Sequence, residues 1–247
     1  MAKPDYVVSD THLGAVPRQT EREFVRFLEH VAAHAATLLI NGDLFDFWFE
    51  WGPVIPARHY RVLAALAAVV AAGVPVTLVG GNHDAWGGRF LTDDVGVKLF
   101  NGVLRTELGG RPALVAHGDG LGKGDIKYRL LKAVLRSRVA VWGFRALHPE
   151  LGIKLANVVS QTEAHADSDR GSKNRADFLQ HWARAQFTAD ASLALVLCGH
   201  SHVPTLIEMG ADRYYINSGD WVRHSTYVTI APGTQPQLQS WQLQRGV

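Results

Sequence analysis

An α/β sandwich of two sheets, flanked by helices and carrying a helical insertion, is predicted by three features of the chain. Over the first 116 residues, short apolar runs alternate with segments of helical spacing. The final third changes to strand-length runs bounded by turn residues, which suits antiparallel pairing. With 247 residues, 47% hydrophobic and 19% charged, the chain is long enough for one large packed core and short for two. It is therefore read as a single domain over 1–247 with an inserted helical cap at about 121–190.

Val7-Val8 and its flanks form the first strand, which ends at Ser9-Asp10. Thr20–Ala33 has helical spacing, with Phe24, Phe27, Leu28 and Val31 on one face and Thr20 as the N-cap. Thr37–Ile40 is a short apolar strand that runs into Asn41-Gly42-Asp43. Val62–Gly81 carries no charge and imitates a membrane span. Gly73-Val74-Pro75 divides it, however, into a helix followed by a short strand. Strands at Val97–Phe100 and Val103–Glu107 lead to Pro112–Ala116. Ser172–Gln186 reads as a helix, followed by strands at Leu193–Cys198, Thr205–Glu208, Tyr214–Ile216, Thr226–Ile230 and Gln237–Leu243.

Charge is uneven. Seven basic side chains stand against Asp125 between Lys123 and Leu147, so this segment carries +6 and, with a total of +2, the rest carries −4. Cys198 has no partner for a disulfide and reads as an inert core thiol. With no signal-peptide pattern at Met1–Asp5, it points to a reducing, cytoplasmic setting.

At five places an apolar strand ends and a metal-capable side chain follows at once: Asp10-Thr11-His12, Gly42-Asp43, Gly81-Asn82-His83-Asp84, His117-Gly118-Asp119 and Gly199-His200-Ser201-His202. Loops at the carboxyl ends of strands converge on the ligand crevice of open α/β sheets. Asp-x-His and His-x-His alternation sets both side chains on one side of an extended segment. Imidazole, carboxylate and amide oxygen without thiolate suit Mn²⁺ first, with Fe²⁺ or Zn²⁺ as alternatives. The donors are too many for one tetrahedral ion. Two divalent ions ~3.5–4 Å apart that share a carboxylate account for the number, and they are the standard clamp for phosphoester displacement. Elsewhere, His30, His34, His59, His148, His165 and His181 read as solvated helix or loop residues, His224 stays open, and Asp84 reads as the cap of the following turn.

These motifs, in this order over residues 10–202, resemble the calcineurin-like metallophosphoesterase family. The resemblance implies an α/β sandwich of two mixed sheets with a dinuclear site between their loops. It implies that Asp10, His12, Asp43 and His202 hold one metal, that Asp43 bridges, and that Asn82, His117 and His200 complete the second. It implies further that His83 contacts the phosphoryl oxygen or protonates the leaving group, oriented by the Asp46 carboxylate. Catalysis would then follow the dinuclear pattern, with a metal-bridging hydroxide attacking phosphorus in line.

Two stretches bear on the substrate. In GDLFDFWFEW, residues 42–51, Phe45 and Phe47 read as core, while the five aromatics together suit an apolar or base-stacking wall. In 123–147, Leu130, Leu131, Val134, Leu135, Val139 and Trp142 follow helical spacing, with Arg129, Lys132 and Arg136 on another side. That basic amphipathic segment suits peripheral contact with an anionic membrane on its inner face, an acyl chain, or packing on the domain. GDLFDFW, HGDGLGKGDIKY and Ser172-Lys173 are similar to the UDP-2,3-diacylglucosamine pyrophosphatase branch of the family. That similarity implies a nucleotide-linked diacyl sugar as substrate, UMP and 2,3-diacylglucosamine 1-phosphate as products on the way to lipid A, and substrate contacts from Asp125, Tyr128 and Lys173. The best-known members of the branch carry arginine after the metal-binding asparagine, where this chain has His83. A phosphodiesterase or nuclease, a protein phosphatase and a non-catalytic scaffold of the same fold are the alternatives. Positive charge confined to one amphipathic segment, rather than a broad basic track with stacking aromatics, argues against a nucleic-acid partner. A complete set of ligands argues against the scaffold.

Overall fold

The computed structural model of the chain describes residues 2–84, 86–122, 130, 133–155 and 169–242. Among the described residues, eleven strands form two sheets. The first has six strands in the order β11-β10-β1-β2-β3-β4, comprising β1 (Asp5–Val8), β2 (Thr37–Asn41), β3 (Val76–Val79), β4 (Lys98–Phe100), β10 (Thr226–Ile230) and β11 (Gln237–Ser240). The second has five in the order β5-β6-β7-β9-β8, comprising β5 (Leu104–Leu108), β6 (Arg111–Val115), β7 (Leu195–Cys198), β8 (Thr205–Gly210) and β9 (Arg213–Asn217). Helices α1 (Arg18–His34) and α2 (Tyr60–Ala71) join β1, β2 and β3, while α3 (Arg138–Arg145) and α4 (Asp169–Ala189) lie between β6 and β7.

The period-two alternation of the strands explains the layering. Val7, Leu39, Val79, Val115, Leu195, Leu197, Ile216 and Val228 form the core between the sheets. Their neighbours Tyr6, Val8, Leu38, Ile40, Val76 and Leu78 point the other way, onto Phe24, Phe27, Leu28 and Val31 of α1 and Val62, Leu66 and Val69 of α2. On the far side of the second sheet, Leu114, Val196, Cys198 and Tyr215 meet Leu179, Ala183 and Phe187 of α4. The order is thus helices, sheet, sheet, helix.

Local chemistry sets the boundaries. The first helix begins at Arg18, not after Thr20, with Pro17 in the flanking N-cap position (φ −56°, ψ 148°). The uncharged stretch 62–81 divides as expected: α2 ends, Gly73 adopts φ 85°, and β3 follows. Among the described residues, no helix is long and apolar enough to cross a membrane. Gly109 and Gly110, both with positive φ, close the β5–β6 hairpin. The late strands are not all antiparallel, since β7 pairs in parallel with both β6 and β9. Its α4 crossover returns it to the middle of the sheet, which parallel pairing requires.

Candidate metal centre

All five strand ends of interest, those of β1, β2, β3, β6 and β7, open toward one place. Asp10 and His12 follow β1, Asp43 follows β2, Asn82 and His83 follow β3, His117 follows β6, and His200 and His202 follow β7. The backbone there is not extended. Asp10, His12, Asp43, His200 and His202 all have φ between 42° and 62°. That left-handed conformation is disfavoured for side chains with a Cβ and concentrates at functional sites. The Asp-x-His and His-x-His pairs therefore converge through kinked backbone rather than through strand alternation.

Hydrogen bonds lace the loops together. Asp10 and His12 N–H groups donate to the Gly42 and Asp43 carbonyls at 3.0 Å each, Trp221 N–H donates to the Asp10 carbonyl at 3.1 Å, and Gly199 N–H donates to the His117 carbonyl at 2.7 Å. His200 N–H reaches both oxygens of Asp10 at 3.0 Å. Asp84 does not cap the turn after it. Its buried carboxylate accepts from Gly81 N–H at 2.8 Å, Leu44 N–H at 2.6 Å and Asp43 N–H at 3.3 Å, and so ties the β3 loop back to the β2 loop. Burial and the Asp43 charge push its pKa up to about 6. Three glycines leave room for this convergence. A Cβ on Gly42 would overlap the His117 ring, one on Gly81 would overlap Asp43 Oδ1, and one on Gly199 would lie 2.8 Å from Asp10 Oδ2. Their signal in the sequence is a glycine directly before Asp43, Asn82 and His200.

Three overlapping groups could each hold an ion: Asp10, His12 and His202; His12, Asp43 and His83; Asp43, His117 and His200, with ligand atoms within 4.8 Å of one another in each. Asp43 and His12 belong to two groups apiece. Both residues flanking Asn82 approach Asp43, Gly81 as above and His83 through its N–H on Asp43 Oδ1 at 3.0 Å. The Asn82 amide oxygen is buried.

The donor chemistry fits a cation. His117 Nδ1–H donates to the Asn41 carbonyl at 2.8 Å, which directs the buried Nε2 to Asp43 Oδ2 at 3.1 Å. His12 Nε2 and His202 Nε2 face each other at 3.3 Å. Asp10 and Asp43 are buried carboxylates that demand positive charge. Without a metal, protons supply it. Burial pushes the His117 and His12 imidazoles down, but neighbouring carboxylates more than reverse this, raising His117 well above its usual range and His12 to about 9. Asp43 is held well below the carboxylate range by His117, His83 and His12, against its burial. Burial takes His200 down to about 3 and lowers His202 as well.

Asp46 meets His83 through both main chain and side chain. His83 Nδ1–H donates to the main-chain carbonyl of Asp46 at 2.7 Å, while the carboxylate lies 3.9 Å from that nitrogen and 3.7 Å from His12 Nδ1. Lys173 is exposed on α4, whereas Asp125 and Tyr128 lie outside the described residues, as does most of the basic stretch before residue 133. The aromatics of 42–51 divide. Phe45 and Trp48 are buried in the main core, while Phe47, Phe49 and Trp51 form a separate cluster with Trp86, Val141, Phe144 and Ile153. His59 is not solvated. It is buried against Phe45 at a 4.5 Å ring separation, and burial takes its pKa down to about 4.

A family model described as calcineurin-like phosphoesterase matches residues 6–204. The chain belongs to that family. The calcineurin-like phosphoesterases are metal-dependent hydrolases, and the clustered His and Asp side chains at the strand ends are capable of binding metal. Among similar relatives, a UDP-2,3-diacylglucosamine hydrolase of Porphyromonas gingivalis (strain ATCC BAA-308 / W83) is 28% identical, with 95% of this chain and 96% of the relative covered. A protein of the same name from Azotobacter vinelandii (strain DJ / ATCC BAA-1303) is 30% identical, with 91% and 93% covered.

Proposed function

We propose that the chain hydrolyses a diphosphate or phosphodiester bond with the help of two divalent ions, Mn²⁺ first, and that its substrate is UDP-2,3-diacylglucosamine, cleaved to UMP and 2,3-diacylglucosamine 1-phosphate. The observation that carries the reading is the chain of three ligand groups linked through Asp43 and His12. In it, Asp10, His12, Asp43 and His202 would hold one ion, and Asp43, Asn82, His117 and His200 the other. When bound, the ions supply an activated water and positive charge for the phosphoryl oxygens. His83, its Nδ1–H fixed on the Asp46 carbonyl, offers Nε2 to the leaving oxygen and moves a proton there. Asp46, 3.7 Å from His12 Nδ1, holds that imidazole in the orientation that turns Nε2 inward. The names and full-length coverage of the relatives support the substrate, with Lys173, Asp125 and Tyr128 as contacts in a cap over about 121–190.

The exposed apolar side chains of the insertion, Val139 at 79% and Trp142 at 73% beside Arg138 and Arg145, support contact with an anionic membrane surface. The test of the main reading is hydrolysis of UDP-2,3-diacylglucosamine with Mn²⁺, beside bis-p-nitrophenyl phosphate as an unselective phosphodiester. Wild type is expected to release UMP and Asp43→Ala to lose at least about 10³-fold in rate. Turnover of the phosphodiester alone refutes the substrate and keeps the chemistry. Turnover of neither by metal-loaded protein refutes both.

A further inference from the structure

Two arginines from the range 121–190 lie near the cluster on different elements. Arg136, directly before α3, donates from its guanidinium to the Gly81 carbonyl at 3.1 Å. Gly81 precedes Asn82 and abuts Asp43. Arg136 is thus partly buried over the β3 loop. Arg175 lies on α4 one turn before Leu179 and two before Ala183, on the helix face that packs against the second sheet. The Leu179 methyls and His200 Cβ both lie 3.2 Å from where a Cβ on Gly118 would sit. Arg175 therefore sits one helical turn from the β6 and β7 loops, half-buried. Burial lowers its pKa while the Asp10 carboxylate works in the other direction, which sets the two groups within electrostatic reach.

Charge balance says what such cations are for. Two divalent ions over the carboxylates Asp10 and Asp43, with the imidazoles neutral, leave two positive charges. One phosphodiester and an attacking hydroxide use both. A second phosphate brings a further negative charge that the ions no longer meet, and a planar guanidinium fork pairs with phosphate oxygens two at a time.

We propose, resting on the phosphohydrolase reading, that Arg136 and Arg175 clamp the phosphate of a diphosphate ester that is not attacked, so that the site selects two-phosphate substrates over single phosphodiesters. Arg136 spends one N–H on the Gly81 carbonyl, which fixes the plane of its fork, and presents the remaining edge to the anion.

The test is calorimetric titration of the Mn²⁺-loaded full chain with UMP and with α,β-methylene-UDP, whose bridge resists hydrolysis. Wild type is expected to bind the two-phosphate ligand more tightly by about 30-fold. Arg136→Gln and Arg175→Gln should each remove about tenfold of that preference, with UMP affinity changed by less than about threefold. Arg136→Lys and Arg175→Lys, which keep charge and stem but not the fork, should retain folding by circular dichroism and recover only part of it. A wild-type preference below about threefold, or equal losses on both ligands, overturns the clamp. Hydrolysis of UDP-2,3-diacylglucosamine and of bis-p-nitrophenyl phosphate by the same samples separates the two ideas. Preference without turnover of either refutes the phosphohydrolase reading and leaves a two-phosphate binding site; turnover of either with a preference that neither substitution alters refutes the clamp alone.

Discussion

The strand-end loops and the segment 133–155 are held by different means. At the loops, five left-handed residues, three glycines that admit no side chain and the buried Asp84 carboxylate leave a single arrangement open to the backbone. Residues 133–155 meet the sandwich through a few anchors. Trp86 Nε1–H donates to the Leu135 carbonyl at 3.2 Å, Arg136 holds the Gly81 carbonyl, and Phe144 packs on Phe49 at 4.8 Å between ring centres. Beyond these, Val139 and Trp142 face solvent. The difference teaches that ligand positions are over-determined, while the element above them can be altered without displacing them.

The sharpest way to break that contrast is at His83. His83→Ala is expected to lower kcat on bis-p-nitrophenyl phosphate by about 10²–10³-fold while bound Mn²⁺, measured by elemental analysis, is retained. Loss of metal instead of rate would make His83 a ligand. Next in size is Gly81→Ala, where the added methyl meets Asp43 Oδ1. A loss of about 10–100-fold in metal affinity and about 1–3 kcal/mol of stability should appear in metal titrations and thermal melts. An unchanged affinity would mean that the loops yield.

A third expectation concerns protons. In metal-free protein, burial lowers His12 and His117, yet the carboxylates around them raise the first to about 9 and the second well above its usual value. His12 is therefore charged at pH 7 and His117 is biased toward its charged form, whereas ligation needs both neutral. Metal loading should release protons, and affinity should climb from pH 6 toward pH 9. Calorimetry in two buffers of unlike ionisation enthalpy reads this directly; identical heats would contradict it. The smallest effect is expected at Trp142→Ser. Stability should move by less than about 0.5 kcal/mol and phosphodiester turnover should stay level, while sedimentation with anionic vesicles falls. Undiminished sedimentation would put the membrane contact elsewhere.

Most of the fold was legible because its signals are local. Phe24, Phe27, Leu28 and Val31 announce α1, the Gly73-Val74-Pro75 break separates α2 from β3, and the abrupt change from apolar to metal-capable residues marks each strand end. What escaped depends on residues far apart in the chain. The role of Asp84 is set by Asp43 and Leu44, some forty positions away. His59 reads as a surface histidine until Phe45 and Trp48 close over it. The family resemblance implies the Asp46 carboxylate as the partner of His83, and it lies 3.9 Å from Nδ1, but the closer hydrogen bond to the Asp46 carbonyl depends on turn geometry that the sequence does not show. Arg136 has the periodicity of the basic side of its segment, and only its tertiary contact with Gly81 turns it inward.

The proposed ligand side chains are divided between the sheets: Asp10, His12, Asp43 and Asn82 follow strands of the first, and His117, His200 and His202 follow strands of the second. An ion held among them would act as a rivet through the rim of the sandwich, adding to the aliphatic contacts of Val7, Val115 and Leu197 and to hydrogen bonds such as His117 Nδ1–H to the Asn41 carbonyl that already join the two layers. At a free-ion concentration near a hundred times Kd, such a rivet adds about 2.7 kcal/mol. The melting temperature then becomes a gauge of occupancy, able to rank Mn²⁺, Fe²⁺ and Zn²⁺ before any substrate is in hand.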